Sequence, residues 1–324
     1  MSEESPRSLV TGATGYIGGH LAQLLVDRGH TVRAMARNPD KLRDAPWRDH
    51  AEVVRGDLSD ADSLTEAFDG VDVMYYLVHS MGTSSDFVAE EERSAHNVAV
   101  AAKKAGVRRI VYLSGLHPTG ALSRHLRSRN LVGEILMESG VETVVLQAGI
   151  VVGAGSASFE MIRHLTNRLP VMTTPKWVRN KIQPIAIGDV LHYLVESADA
   201  PVPKSRTFDV GGPDVLEYGE AMQVYAEVAG LRRRVIVALP LLTPSIASWW
   251  VGLVTPIPSG LARPLVESLE HDAVMSEHDI DAVIPPPAGG LTNYRDSVTE
   301  ALSQDGNVLG GKRHLIKWGS AAPK

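Results

Sequence analysis

Gly12, Gly15 and Gly18 carry the first chemical expectation. They fall in the run Thr11-Gly12-Ala13-Thr14-Gly15-Tyr16-Ile17-Gly18, between an apolar stretch (Ser8-Leu9-Val10) and a helical pattern from Tyr16 to Arg28. A strand, a glycine turn and a helix suit a dinucleotide pyrophosphate. The first glycine allows the tight turn, the second lets backbone approach the phosphates, and the third lets the helix pack close to the strand. The helix start adds free N–H groups and a partial positive charge. Thr14, Tyr16 and Ile17 share the turn and are expected to contact the same ligand. Similar loops also occur as bare turns; the flanking strand and helix favour the binding role.

A dinucleotide is recognised a second time at the end of the next strand. Sites that prefer NAD place an acid there, about 20 residues after the loop, to bind the ribose 2′-hydroxyl. Here the strand reads Thr31-Val32-Arg33-Ala34-Met35-Ala36-Arg37, with two arginines and no acid. A guanidinium pairs well with a 2′-phosphate. NADP(H) is therefore the expected cofactor, with NAD(H) as the alternative and solvated surface charge as the plainer reading of Arg33 and Arg37. Gly56-Asp57-Leu58 follows the third strand, where an adenine would lie. Asp57 could accept from its amino group while Leu58 packs on the ring, or Asp57 could simply cap a helix near Ala61.

Alternating patterns surround these residues. Strand-like runs at Thr31–Ala36, Ala51–Arg55, Asp72–Val78, Arg109–Ser114 and Glu142–Gln147 are, for the most part, separated by helical runs at Tyr16–Arg28, Ala61–Phe68, Phe87–Lys104 and Arg124–Ser139. Gly29, Gly106 and Gly140 punctuate helix ends. The alternation predicts an α/β fold, a doubly wound parallel sheet of Rossmann type with a smaller C-terminal lobe. The expected division is a cofactor-binding core at 1–155, a substrate or lid lobe at 156–306 interleaved with it, and a frayed tail at 307–324. In that lobe, Ile182–Ile187 and Thr207–Val210 read as strands, and Asp189–Ser197 and Tyr218–Val228 as helices.

Composition narrows the partners. A net charge of -6 gives no basic footprint for nucleic acid, and the absence of cysteine excludes disulfides and thiolate chemistry. Twelve histidines are dispersed without metal-ligand spacing, so no metal is expected. Met1–Arg7 lacks a signal-peptide core, which makes a cytoplasmic location the default. From Val235 to Ala262 no residue is charged, and Trp249-Trp250 lies in its middle. Prolines leave only Ser245–Thr255 as an unbroken helix, too short to span a bilayer that needs about 20 apolar residues. A buried helix or apolar lid is expected, with peripheral membrane contact as the alternative.

The run Thr11–Gly18, Gly56-Asp57-Leu58, Asn97 and Val111-Tyr112-Leu113-Ser114 resembles the short-chain dehydrogenases/reductases. More narrowly the chain resembles their atypical NAD(P)-binding branch, related to the NmrA-like and isoflavone-reductase-like proteins. Tyr76-Leu77-Val78-His79-Ser80-Met81-Gly82, His125-Leu126-Arg127-Ser128-Arg129 and Gly149–Ser156 are similar to a bacterial subgroup of that branch. Some of its members carry a further C-terminal domain, which is not expected here. The likeness covers roughly residues 6–300 and is specific for a cofactor rather than for a substrate.

The resemblance places Leu77 and His79, after the fourth strand, at the cofactor, with a substrate contact or a satisfied edge residue as the other readings of His79. It also implies a serine, a tyrosine and a lysine around the reacting oxygen. Ser114 falls on the family serine, His125 on the tyrosine position and Arg129 on the lysine position. An imidazole can move protons near neutral pH, whereas an arginine can hold ribose or phosphate but cannot relay a proton. Gln147-Ala148-Gly149 replaces the family's Arg-Pro-Gly and leaves a differently shaped floor. Gly153-Ala154-Gly155-Ser156 reads either as a second anion site at a helix start or as a glycine turn with a serine cap.

Together these residues predict an NADP(H)-dependent oxidoreductase acting on a small apolar carbonyl or alkene. A dinucleotide-binding sensor or assembly protein without turnover is the alternative, and a nucleotide-sugar epimerase a weaker one. The expected partner is a small-molecule substrate or effector.

Overall fold

The computed structural model describes residues 6–78, 87–117, 122–238, 269 and 271–306. Its first half alternates except between β2 and β3, which only short 3-10 turns separate. β1 (Arg7–Thr11) leads to α1 (Tyr16–Asp27), followed by β2 (Thr31–Ala36), β3 (Ala51–Arg55), α2 (Leu64–Phe68) and β4 (Val73–Tyr76). Then come α3 (Phe87–Ala105), β5 (Arg109–Gly115), α4 (Arg124–Glu138) and β6 (Glu142–Ala148). The second half holds β7 (Val151–Val152), α5 (Ala157–Arg168), β8 (Val171–Thr174), β9 (Lys181–Ile182), β10 (Ile185–Ala186) and α6 (Ile187–Glu196). It continues with β11 (Arg206–Val210), β12 (Leu216–Glu217), α7 (Tyr218–Val228), β13 (Val235–Ala238) and α8 (Tyr294–Gly306).

Seven strands form one sheet in the order β11-β6-β5-β4-β1-β2-β3, and every pair in it is parallel. The chain starts near the centre, runs outward to β3, then returns to place β4 on the other side of β1. That reversal is the topological switch at which open α/β sheets bind ligands beyond the strands' carboxyl ends. β4 and β5 are buried along their whole length. Helices must therefore cover both faces, as a parallel sheet requires.

The two faces carry separate cores. α1 and α6 bury Leu21, Leu25, Val190 and Leu194 on one. On the other, α3 and α4 bury Val98, Ala102, Val132 and Leu136. α3 shows why it folds there: its buried residues Glu91, Ser94, Ala95, Val98, Ala99 and Ala102 recur at helical spacing and form one stripe. A third core, with Phe159, Trp177, Tyr218 and Tyr225, holds α5, α7 and α8 together. Truncating a side chain such as the fully buried Leu25 to alanine would cost about 2–5 kcal/mol.

The structure revises some expected boundaries. Ile182–Ile187 is not one strand: β9 pairs antiparallel with β12, β10 pairs parallel with β7, and α6 begins at Ile187. Pro184 sits between the two pieces and has no N–H to continue a ladder. α2 starts at Leu64, three residues after Ala61. β11, far along the chain, completes the main sheet beside β6. The helix expected at Ser245–Thr255 and the tail at 307–324 lie outside the described residues.

Candidate functional site

The first glycine turn is shaped by contacts that exclude side chains. Gly12 has a φ of +72°, and a Cβ there would come 2.7 Å from the Leu77 carbonyl oxygen. A Cβ on Gly18 would lie 2.3 Å from the Gly12 oxygen, so α1 and the turn touch backbone to backbone. Thr11 Oγ1 donates to the Tyr75 carbonyl at 2.9 Å and accepts from the Leu77 N–H at 3.3 Å, locking β1 to β4 at the switch point. Gly15 is exposed, and a Cβ on it would meet only the Gly12 oxygen, at 3.1 Å. It caps α1 with no side-chain hydrogen bond, and the first turn of α1 has no acid. The N–H groups at this helix start thus remain open to an anion.

Thr14, Tyr16 and Ile17 are half-buried at this turn. The Tyr16 phenol reaches across to the second glycine turn, where a Cβ on Gly153 would come 2.2 Å from its oxygen. Burial, with the Glu160 charge, raises the Tyr16 pKa and keeps the phenol protonated.

The two arginines of β2 separate. Arg33 is buried: its Nε donates to Glu52 at 2.7 Å, and one Nη donates to the carbonyls of Glu66, Ala67 and Asp69. Its guanidinium ties β2 to β3 and to the end of α2, which corrects its expected place at a cofactor phosphate. Arg37 is exposed just past the strand.

Asp57 does not cap α2, whose N-cap is Ser63. Its Oδ1 accepts from the Ser59 N–H at 3.0 Å and the Ser59 hydroxyl at 2.8 Å. Burial alone would raise this carboxyl, but the Ser59 hydrogen bonds and the Arg37 charge outweigh it and hold the pKa below its usual value. Oδ2 takes no hydrogen bond among the described residues. Leu58 is buried, and its carbonyl accepts from Asn97 Nδ2 at 2.9 Å, which fixes the loop from α3.

At the carboxyl edge of β5 and β6 the structure gathers Ser114, His117, His125, Arg129 and Gln147. Ser114 pairs in register with Gln147, so both side chains leave the same face of the sheet. The Ser114 hydroxyl is buried and has no partner at normal hydrogen-bond geometry. Arg129, on α4, brings a guanidinium nitrogen to within 3.3 Å of where a Gly115 Cβ would stand, and its Nε is also buried without a partner.

His125 is buried in the first turn of α4, its ring 6.2 Å from that of Phe87. Desolvation and the Arg129 charge push its pKa down to about 4. It is neutral at physiological pH, which differs from an imidazole that trades protons there. Ser128, also on α4, donates to the buried Glu91 of α3 and anchors the helix.

His117 was not singled out by any motif. Gln147 Nε2 lies 2.8 Å from its Nδ1, while its Nε2 is buried and unpartnered. Burial and Arg129 lower its pKa, against the opposing charge of Asp209. No spacing rule marks it, because the contact joins the ends of two strands thirty residues apart.

The second glycine turn differs from the first. Gly155 N–H donates to Glu160 Oε1 at 3.2 Å, and Ser156 Oγ turns away to the Val151 carbonyl at 2.7 Å. The chain supplies its own anion at this helix start, and Ser156 stands at the N-cap position without a side-chain capping bond. His79 lies outside the described residues. Among the described residues, no group of three or more His, Asp or Glu could hold a metal ion, and no helix is long and apolar enough to cross a membrane.

A doubly wound parallel sheet with a glycine cradle at its switch point has the architecture of dinucleotide-binding Rossmann folds. Residues 12–152 match the family model described as NAD(P)H-binding, so this part of the chain is an NAD(P)H-binding domain. The chain is 36% identical over 124 residues to a 3 beta-hydroxysteroid dehydrogenase/Delta 5-->4-isomerase of Mycobacterium tuberculosis, a match covering 35% of this chain and 33% of that protein. That alignment therefore spans about a third of the relative's length. A ceramide reductase of Caulobacter vibrioides is 25% identical over 297 residues, covering 89% of this chain and 92% of the relative. The triphenylmethane reductase of Citrobacter sp., solved with NADP(H), shares the fold with a TM-score of 0.71 at 19% identity, over 91% of this chain and 99% of that one.

Proposed function

We propose that the protein is an NADP(H)-dependent oxidoreductase that acts on a small apolar carbonyl or alkene. The observation that carries this reading is the buried Ser114 hydroxyl, which makes no hydrogen bond of normal geometry among the described residues, at the carboxyl edge of the parallel sheet one residue from where Arg129 approaches Gly115. A buried hydroxyl without a partner costs free energy unless a ligand meets it. Bound cofactor would supply the hydride. Gly12, Gly15 and Gly18 would hold its pyrophosphate at the start of α1, and Arg37 would face the 2′-phosphate. Asp57 Oδ2 and Leu58 would meet the adenine, and Leu77 would line the cleft. Ser114 would orient the substrate oxygen, Arg129 would hold ribose or phosphate, and His125 would offer a hydrogen bond as a neutral ring. Relatives named for hydroxysteroid and ceramide chemistry support an apolar substrate with a reactive C–O group.

The test is consumption of NADPH, read from its absorbance, across a panel of aldehydes, ketones and enones. Turnover of at least one supports the reading. A protein that binds NADPH tightly and consumes none would support the sensor instead, a reading favoured by the loss of a tyrosine–lysine proton relay at His125 and Arg129.

A further inference from the structure

We propose that His117, oriented by Gln147, is a hydrogen-bond donor to the substrate's reacting oxygen and does the work that the family tyrosine would do. This rests on the oxidoreductase reading above. Gln147 presents its amide nitrogen to His117 Nδ1 at 2.8 Å. An amide nitrogen only donates, so Nδ1 accepts and the ring proton sits on Nε2. That nitrogen is buried and meets no acceptor among the described residues. The Ser114 hydroxyl is buried too and makes no hydrogen bond of normal geometry among the described residues, though it interacts with the Tyr112 phenol; Ser114 pairs in register with Gln147, the residue that orients His117. Arg129 is close enough for its charge to act on His117, and its own Nε lacks a partner. The edge of β5 and β6 thus collects buried donors that are not fully satisfied among the described residues, which fits an acceptor oxygen that turns anionic during reaction.

The chemistry follows from the ring's neutrality. A carbonyl carbon that accepts a hydride leaves its π electron pair on oxygen, and the resulting alkoxide becomes an alcohol by taking a proton from a solvent water, which leaves as hydroxide. In the proposed step the neutral imidazole stabilises that charge through an Nε2–H hydrogen bond, while water supplies the proton. His125 has no hydrogen bond to orient it among the described residues and packs beside Phe87. His117 has an orienting partner and a free donor.

Two measurements test this. In the first, protein labelled with nitrogen-15 and saturated with NADP⁺ is titrated with isobutyrate, whose carboxylate oxygen stands in for the alkoxide. The His117 signal is assigned by its absence in His117→Phe. The expected result is an Nε2–H tautomer whose signal shifts on titration. An Nδ1–H tautomer, or a signal that stays put throughout, overturns the proposal. In the second, with any carbonyl that the panel shows to be consumed, His117→Phe should lower kcat about 10²–10³-fold. NADPH affinity should be unchanged, and His117→Gln, which keeps a donor, should recover part of the rate. The wild-type rate should not decline between pH 6 and 8, since no imidazolium proton is used. Equal rates in wild type and His117→Phe overturn the proposal while leaving the oxidoreductase reading intact. A shifting Nε2–H signal in a protein that consumes no NADPH would do the reverse: the oxygen site stands and the activity falls.

Discussion

The chain contains two glycine turns that lead from a strand into a helix, one before α1 and one before α5, and they have opposite fates. Both bring a helix N-terminus to the carboxyl side of the sheet. Counting four residues on from each N-cap separates them: Gly15 leads to Gly19 in α1, and Ser156 leads to Glu160 in α5. Glu160 folds back to the Gly155 N–H and fills the second turn with the protein's own negative charge. The first has no acid and no side-chain cap. A helix start is an anion site only while the chain leaves it unsatisfied. Tyr16 links the turns, since it begins α1 and packs its phenol against Gly153.

The strongest way to break this comparison is to close the open turn. Gly12 and Gly18 are poor choices, because a Cβ on either would strike backbone and disturb the fold. Gly15 is exposed and faces only one oxygen, so Gly15→Val should fold while placing a side chain in the pyrophosphate space. Losing two charge-assisted hydrogen bonds of about 1.5–3 kcal/mol each would weaken NADPH binding by roughly 10² or more. Calorimetry on the folded variant is the measurement, and unchanged affinity would remove this turn from the cofactor site.

A smaller effect sharpens what the open turn binds. Arg33 is committed to Glu52 and three carbonyls, so any preference for a 2′-phosphate falls to Arg37. Arg37→Ala should cut NADPH affinity about 10–100-fold and leave NADH affinity nearly unchanged, the loss of one charge-assisted contact. Arg33→Ala should instead lower the unfolding midpoint, because it leaves buried carbonyls without a donor. Parallel titrations of both variants with NADPH and NADH distinguish the roles. Equal loss for the two cofactors in Arg37→Ala would mean that this arginine does not read the phosphate.

The difference between the arginines shows what sequence could and could not reveal. The run Thr31–Ala36 makes β2 legible to the residue, and the period-two geometry of a strand, continued one residue past its end, places Arg33 and Arg37 on the same side. It cannot say that Glu52 lies opposite Arg33 in the β2–β3 register, or that α2 ends with its carbonyls over that spot. The glycine cradle was legible because its chemistry is local, from Thr11 to Gly18. His117 was not, because its partner Gln147 comes from the next strand, and their meeting depends on how β5 and β6 end. The pairing of β8 with β13 joins residues more than sixty positions apart and has no local signature. Glu160 lies between these extremes: its distance from Gly155 can be counted in the sequence, but only the folded turn shows that the carboxylate reaches the N–H.

The smallest expected effect therefore probes that carboxylate. Glu160 is mostly buried and sits near Arg163 at 3.2 Å and His164 at 3.4 Å as well as accepting from Gly155. Glu160→Gln keeps the shape and an acceptor oxygen but removes the charge that favours a helix start. The expected cost is about 0.3–1 kcal/mol, the usual value of an acid in the first turn, seen as a small fall in the urea midpoint. The Tyr16 pKa, now raised partly by Glu160, should move down in a spectrophotometric titration. NADPH affinity should hold, because the open turn keeps its own N–H groups. If inorganic phosphate then protects the Gly155 amide in hydrogen exchange, the two turns differ only by one acid. If it does not, the shape of the second turn, with the Tyr16 phenol seated against Gly153, excludes anions even without that acid.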